Sequence, residues 1–186
     1  MATGNRNSAY LASNFFLSHA VSLCIILPAM SISIFYEDCL PGLSFDLGST
    51  HVEKERVLSF AAAFDPQPFH LDAEAGKASI LGGLSASGWH TASMVMRLLV
   101  DQLLIRSSCQ GSPGVKSMKW LAPVYPGDTL HAAATVLDKR TLLTKPDLGI
   151  VTFELTAAKA DGTKVMHQVI PILFKKKAAM EAQDGQ

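Results

Sequence analysis

Asp65-Pro66-Gln67-Pro68-Phe69-His70, then Gly82-Gly83-Leu84-Ser85-Ala86-Ser87-Gly88, then an apolar run over residues 89–105: this stretch decides how the chain is read. Two prolines within three residues fix φ at both positions and push Asp65 and Gln67 toward extended backbone. Such a loop loses little entropy on folding, so its side chains can be held in place. A carboxylate and an imidazole five residues apart can meet across a bent loop, where they supply a base and an acid near neutral pH. By spacing alone the plainer reading is the stronger one: a turn whose Asp caps the next element and whose His lies on the surface, since short motifs recur by chance.

Between Trp89 and Ile105 the only charged residues are Arg97 and Asp101. Met94, Val95, Met96, Leu98, Leu99, Val100, Leu103 and Leu104 cover more than one face. A helix apolar nearly all round is a buried helix, and that is the expectation for 89–105. Ser87 and Gly88 stand where this helix begins. Ser is a good N-cap, and Gly lets a ligand approach the backbone. Free amides and the positive end of the dipole at that point would attract a developing oxyanion. The alternative is a helix start with no ligand.

The chain of 186 residues is long enough for one domain with a sizeable core. Lys plus Arg and Asp plus Glu both number 16, so no net field argues for nucleic acid or an anionic membrane as partner. Cys24, Cys39 and Cys109 have no metal-ligand spacing. An odd, sparse count fits a reducing compartment, and a cytoplasmic location is expected.

Residues 7–36 carry no formal charge. The run from Phe15 is apolar enough to consider a membrane span, but Pro28, His19 and several serines argue against one. A signal peptide ending near Ala29-Met30-Ser31 is a second reading. The preferred reading takes Met30 as the true start and residues 1–29 as dispensable, with no stable membrane association. Residues 1–34 are then an N-terminal extension, 35–175 the folded domain and 176–186 a polar tail that frays.

Within the domain, residues 43–51 read as a strand with Phe45 and Leu47 on one face. Residues 53–64 read as a short amphipathic helix, with Val57, Leu58, Phe60 and Ala61 inward. A helical turn follows over 72–77. Strands are expected at 115–120, 129–140, 149–160 and 164–174, the last two joined by an Asp161-Gly162 hairpin. The fold class is α+β: one antiparallel sheet wrapped round one long central helix.

At this point the motifs resemble a known family. Phe60-Ala61 followed by Asp65-Pro66-Gln67-Pro68-Phe69-His70-Leu71-Asp72 resembles the hydratase motif of MaoC-like dehydratases, the hotdog-fold enoyl-CoA hydratases. Ala86-Ser87-Gly88 falls where that family often has Ala-His-Gly at the start of its central helix. Pro123-Val124-Tyr125-Pro126-Gly127-Asp128-Thr129-Leu130 resembles its later Pro-Val-x-Pro-Gly-Asp-x-Leu signature. The resemblance implies a hotdog fold and reversible addition of water to a 2-enoyl-CoA thioester. It implies Asp65 and His70 as the catalytic pair holding a water, and the Gly88 amide as the group that polarises the thioester carbonyl. No metal or redox cofactor is implied, CoA being part of the substrate, and a homodimer or higher homo-oligomer is.

The chain departs from the pattern at Phe64, where the family often has Gly, and at Gln67, where it often has Asn. Some enoyl-CoA hydratases of the family place a Ser in the central helix to bond the catalytic Asp. The register here puts Met96 at that position, with Ser93 one turn away. His90 reads as a packed helix residue. His19, His51, His131 and His167 show no pairing pattern, and Lys175, Lys176 and Lys177 read as a solvated run. The competing functions are a hotdog acyl-CoA thioesterase, for which Asp101 lies too far along the helix from Gly88, and a non-catalytic acyl-CoA-binding partner subunit, against which the intact Asp65–His70 pair argues.

Overall fold

The computed structural model describes residues 31–184, the last four by backbone alone. The expectations for residues 1–30, including the start at Met30 and those for His19 and Cys24, lie outside the described residues. Five strands form one antiparallel sheet in the order β1-β3-β4-β5-β2. They are β1 (Ser44–His51), β2 (Ser117–Trp120), β3 (Thr129–Thr141), β4 (Leu148–Lys159) and β5 (Lys164–Lys175). Between β1 and β2 come α1 (Lys54–Phe64), α2 (Pro68–Leu71), α3 (Ala73–Ala78), α4 (Gly88–Gln102) and a 3-10 turn, Leu104–Arg106. This is the hotdog arrangement: a curled sheet around a central helix, α4.

Period-two patterning explains which face of the sheet meets the helix. Leu130, Ala132, Ala134 and Val136 of β3 are buried, as are Val151, Phe153, Leu155 and Ala157 of β4. They form one core with Ile170, Ile172 and Phe174 of β5 and with Val95 and Leu99 of α4. Register shifts between Asp46 and Ser49 in β1 and between Val136 and Asp138 in β3 let the sheet curl. Gly48, at φ 74°, supplies the left-handed residue that the first bulge requires. Further along, Tyr36 packs against Gly149 of β4, where any added Cβ would collide with Cε2 and Cδ2 of the ring.

The central helix differs from expectation in its surroundings. It buries one face, through His90, Thr91, Val95 and Leu99. Met94, Met96 and Leu98 are only partly buried, and Trp89 is 59% exposed. A sheet of five strands wraps one side of a helix, so among the described residues the apolar side chains on the other flank pack against the core only in part. The C-terminal tail also differs: Lys177–Asp184 is a helix, α5. Its three alanines, with Lys177, Met180, Glu181 and Gln183, are residues of high helix propensity, and the Lys177 amide donates to Glu37 Oε2 at 3.1 Å. No helix among the described residues is long and apolar enough to cross a membrane.

Candidate active site

α1 stops at Phe64 because Pro66 disfavours helical backbone at the residue before it. Asp65 takes φ −150° and ψ 66°, and its amide closes the helix on Ala61 O. Pro68 then opens α2 at the first helical position, where a missing N–H costs nothing. The turn between them points Asp65 and His70 toward each other. His70 Nε2 lies 3.5 Å from Asp65 Oδ2. The imidazole is buried, at 6% exposure. Asp65 does not cap the following element: α2 starts after Gln67 with no side-chain cap, and Asp72 caps α3, accepting from the Ala75 amide.

The ring's other nitrogen sets its protonation. His70 Nδ1 lies 2.8 Å from the Ser85 carbonyl oxygen. A carbonyl can only accept, so Nδ1 carries the proton, and in the neutral ring Nε2 presents a lone pair. Asp65 is held as a carboxylate. Its Oδ2 accepts from Ser87 Oγ at 2.7 Å and its Oδ1 from Gln67 Nε2 at 2.7 Å. The Ser87 bond, then the Gln67 bond, lower its pKa below the ordinary carboxylate value, against a smaller opposing effect of burial. Gln67 thus grips the carboxylate from within the loop, despite its extra methylene relative to Asn.

Ser87 is the residue that sequence reasoning missed in this role. The family resemblance places the serine deeper in the helix, at the register of Met96, with Ser93 one turn away. Ser93 Oγ instead donates to the Trp89 carbonyl in its own helix at 2.7 Å. Ser87 caps α4, accepting from the Trp89 amide at 3.2 Å, and its proton is left to bond Asp65. A serine directly before the motif glycine was the available signal. It was read only as a cap because a cap explains a serine there without any partner.

Gly88 is the first residue of α4. The first amides of a helix have no intrahelical acceptor, and the Ser87 side chain takes that of Trp89. The glycine itself is required by packing: a Cβ there would meet Trp120 Cε2 at 2.6 Å. Gly88 and His70 both line a cleft of about 460 Å³, with Phe69, Ser85, Thr91 and Trp120. Asp65 flanks the cleft through its contacts with His70 and Ser87.

The remaining candidates separate from this site. His90 stacks on Phe60 of α1, ring centroids 4.8 Å apart, and is a packed helix residue as expected. Burial, with the charge of Arg56, lowers its pKa, which favours the neutral ring. His167 is paired after all, with Glu154 Oε1 at 2.9 Å. The partners lie on neighbouring strands, β5 and β4, and only the sheet register brings them together. Asp101 pairs with Arg97 at 2.7 Å, near the other end of α4 from Gly88. Burial pushes the Cys39 thiol up to about 11, so it is inert. Among the described residues no group of three or more His, Cys, Asp or Glu could hold a metal ion.

Known proteins are similar to this chain in sequence and fold. The MaoC like domain model matches residues 40–159. A MaoC-like dehydratase from Rhodospirillum rubrum is 39% identical with a TM-score of 0.73, over 78% of this chain and 99% of its own. The uncharacterized protein YdeM of Bacillus subtilis (strain 168) is 30% identical over 135 residues, 73% of this chain and 94% of that one. At 19% identity, the R-hydratase PhaJ1 from Pseudomonas aeruginosa shares the fold, with a TM-score of 0.62 over 77% of this chain and 87% of its own. With the family model spanning β1 to β4, the loop and the helix start, the chain belongs to the MaoC-like domain family.

Proposed function

We propose that this protein adds water reversibly across the double bond of a 2-enoyl-CoA thioester. Membership of the family supports a hydratase or dehydratase type of activity. The observation that carries the finer reading is the 3.5 Å gap between His70 Nε2 and Asp65 Oδ2. Both atoms are acceptors, and a water lying to one side of the pair, about 2.8 Å from each, would donate one hydrogen to each. That water is held with its oxygen lone pair free to attack.

In this scheme the water oxygen bonds C3 as Asp65 takes one of its protons. The electron pair of the C2–C3 double bond moves toward the thioester oxygen, which accepts from the Gly88 amide at the positive end of α4. C2 then takes the proton from Asp65, restoring the carboxylate. Hydroxide has been added at C3 and a proton at C2, so no other reactant is needed, and dehydration is the same path reversed. His70 orients the water through its second hydrogen.

A thioesterase would want a carboxylate on α4 facing the cleft. The α4 residues that line it are Gly88 and Thr91, which favours the hydratase. The same geometry supports a homodimer. The partly exposed flank of α4 and the exposed Trp89 make an apolar surface that a second copy would bury. Sedimentation at micromolar concentration is expected to give twice the chain mass, and a monomer would refute this part. Incubation with crotonyl-CoA and, separately, acetyl-CoA tests the activity. Loss of enoyl absorbance supports the hydratase, release of free thiol would make it a thioesterase, and neither would leave an acyl-CoA binder.

A further inference from the structure

We propose that Trp120 determines which acyl chains the cleft accepts, by walling off the space along the first turn of α4. The inference rests on the acyl-thioester reading above for the kind of ligand, and goes beyond it in naming the residue that selects among chains.

Trp120 is the last residue of β2, paired with Met166 of β5. Three contacts fix its ring. Nε1–H donates to the Gly88 carbonyl at 2.8 Å. The ring lies so close to the Gly88 α-carbon that a Cβ would meet Cε2, Nε1 and Cδ2 at 2.6, 2.7 and 2.8 Å. On another side Trp89 meets it nearly at right angles, ring centroids 5.3 Å apart. Such a side chain cannot swing aside as a Met or Leu could. It remains 46% exposed, so part of the ring is free to form the cleft wall.

The direction of the acyl chain follows from the ends of the cleft. A thioester carbonyl on the Gly88 amide has its C2 and C3 beside Asp65 and His70. The carrier must leave toward solvent, and Ile80, on the cleft lining, is fully exposed. The tail beyond C3 then turns toward Thr91, which is only 2% exposed one turn into α4, and toward the ring of Trp120 on the same cleft lining. A rigid indole there admits a short chain and collides with a longer one.

The test measures affinity for butyryl-CoA and octanoyl-CoA by calorimetry, in wild type, Trp120→Phe and Trp120→Ala, with turnover of crotonyl-CoA and 2-octenoyl-CoA alongside. These saturated thioesters cannot be hydrated, so binding is read independently of chemistry. Wild type is expected to prefer the four-carbon chain. Trp120→Ala is expected to shift the octanoyl-to-butyryl ratio at least about tenfold toward octanoyl, the scale on which a hydrophobic pocket discriminates added methylenes. Trp120→Phe, which keeps a ring but loses the indole N–H, should stay within about threefold of wild type on the same scale. If Trp120→Ala fails to fold, Trp120→Leu gives the same reading. An equal change for both chain lengths, no change, or no binding of either thioester by wild type overturns the inference. A shifted ratio without hydration of any enoyl-CoA supports it and refutes the hydratase reading alone.

Discussion

The hydroxyl of Ser87 donates to Asp65 Oδ2 at 2.7 Å, tying the start of α4 to the loop that follows α1. The same oxygen accepts from the Trp89 amide, so one side chain caps the helix and grips the carboxylate. Ser87→Ala removes both. A hydrogen bond to a charged group contributes about 1.5–3 kcal/mol, and loss of a cap about 1 kcal/mol. Turnover of crotonyl-CoA is expected to fall roughly 10- to 100-fold on that scale. The acid limb of its pH profile should move to higher pH, because the largest influence lowering the Asp65 pKa is gone. Ser87→Gly, which costs a cap only a few tenths of a kcal/mol, should show the same pH shift with less loss of stability. An unmoved acid limb in both variants would show that Asp65 does not titrate in the rate.

Asp65→Asn and His70→Ala are each expected to lose at least about a hundredfold in turnover while remaining folded. Asn keeps the size of Asp and its bonds to Ser87 in altered polarity, but cannot take a proton. The double variant should be little worse than either single one, because both groups act on one water as a unit. Near-wild-type turnover in both single variants would remove the pair from the mechanism.

His90 governs part of the acid sensitivity. Its folded-state pKa lies below the free value because burial beside Phe60 penalises the charged ring. As pH falls, the unfolded chain therefore takes up the proton first, and stability declines. The contribution is whole above the ordinary imidazole value of about 6.5 and is lost progressively below it. His90→Phe should flatten the fall in urea-unfolding free energy between about pH 7 and pH 5, a window bracketing that value. Equal slopes for variant and wild type would count against the assignment.

Gly149→Ala is expected to destabilise the fold by about 1–3 kcal/mol, as overpacking of a close-packed contact does. The new Cβ would lie 2.2 Å from Tyr36 Cε2 and 2.3 Å from Cδ2. Adding Tyr36→Leu should recover part of the loss in thermal unfolding. No recovery would mean that Tyr36 is not the obstacle.

The loop and the strands were legible from local chemistry. Pro66 and Pro68 act on their own and adjacent residues, so the end of α1 and the opening of α2 follow from the order of residues alone. Alternating burial over residues 130–136 of β3 and 153–157 of β4 follows from a period of two, and the Asp161-Gly162 turn from the left-handed φ of 88° that glycine supplies. The motifs around Asp65, His70 and Gly88 carried the family resemblance without any coordinates.

Contacts made across the fold were not legible, because nothing in local sequence specifies a partner distant along the chain. The serine on Asp65 was sought by helical register and sits at the cap instead, where the approach of α4 to the α1 loop decides the bond. Glu154 and His167 pair only because β4 and β5 align in one particular register. The apolar run of α4 determined that the helix would be buried. How much of it is buried within one chain depends on how far five strands curl, which is a property of the whole sheet. Gly88, read as room for a ligand, is also the seat of Trp120, a neighbour that the return of β2 to the helix start alone brings there.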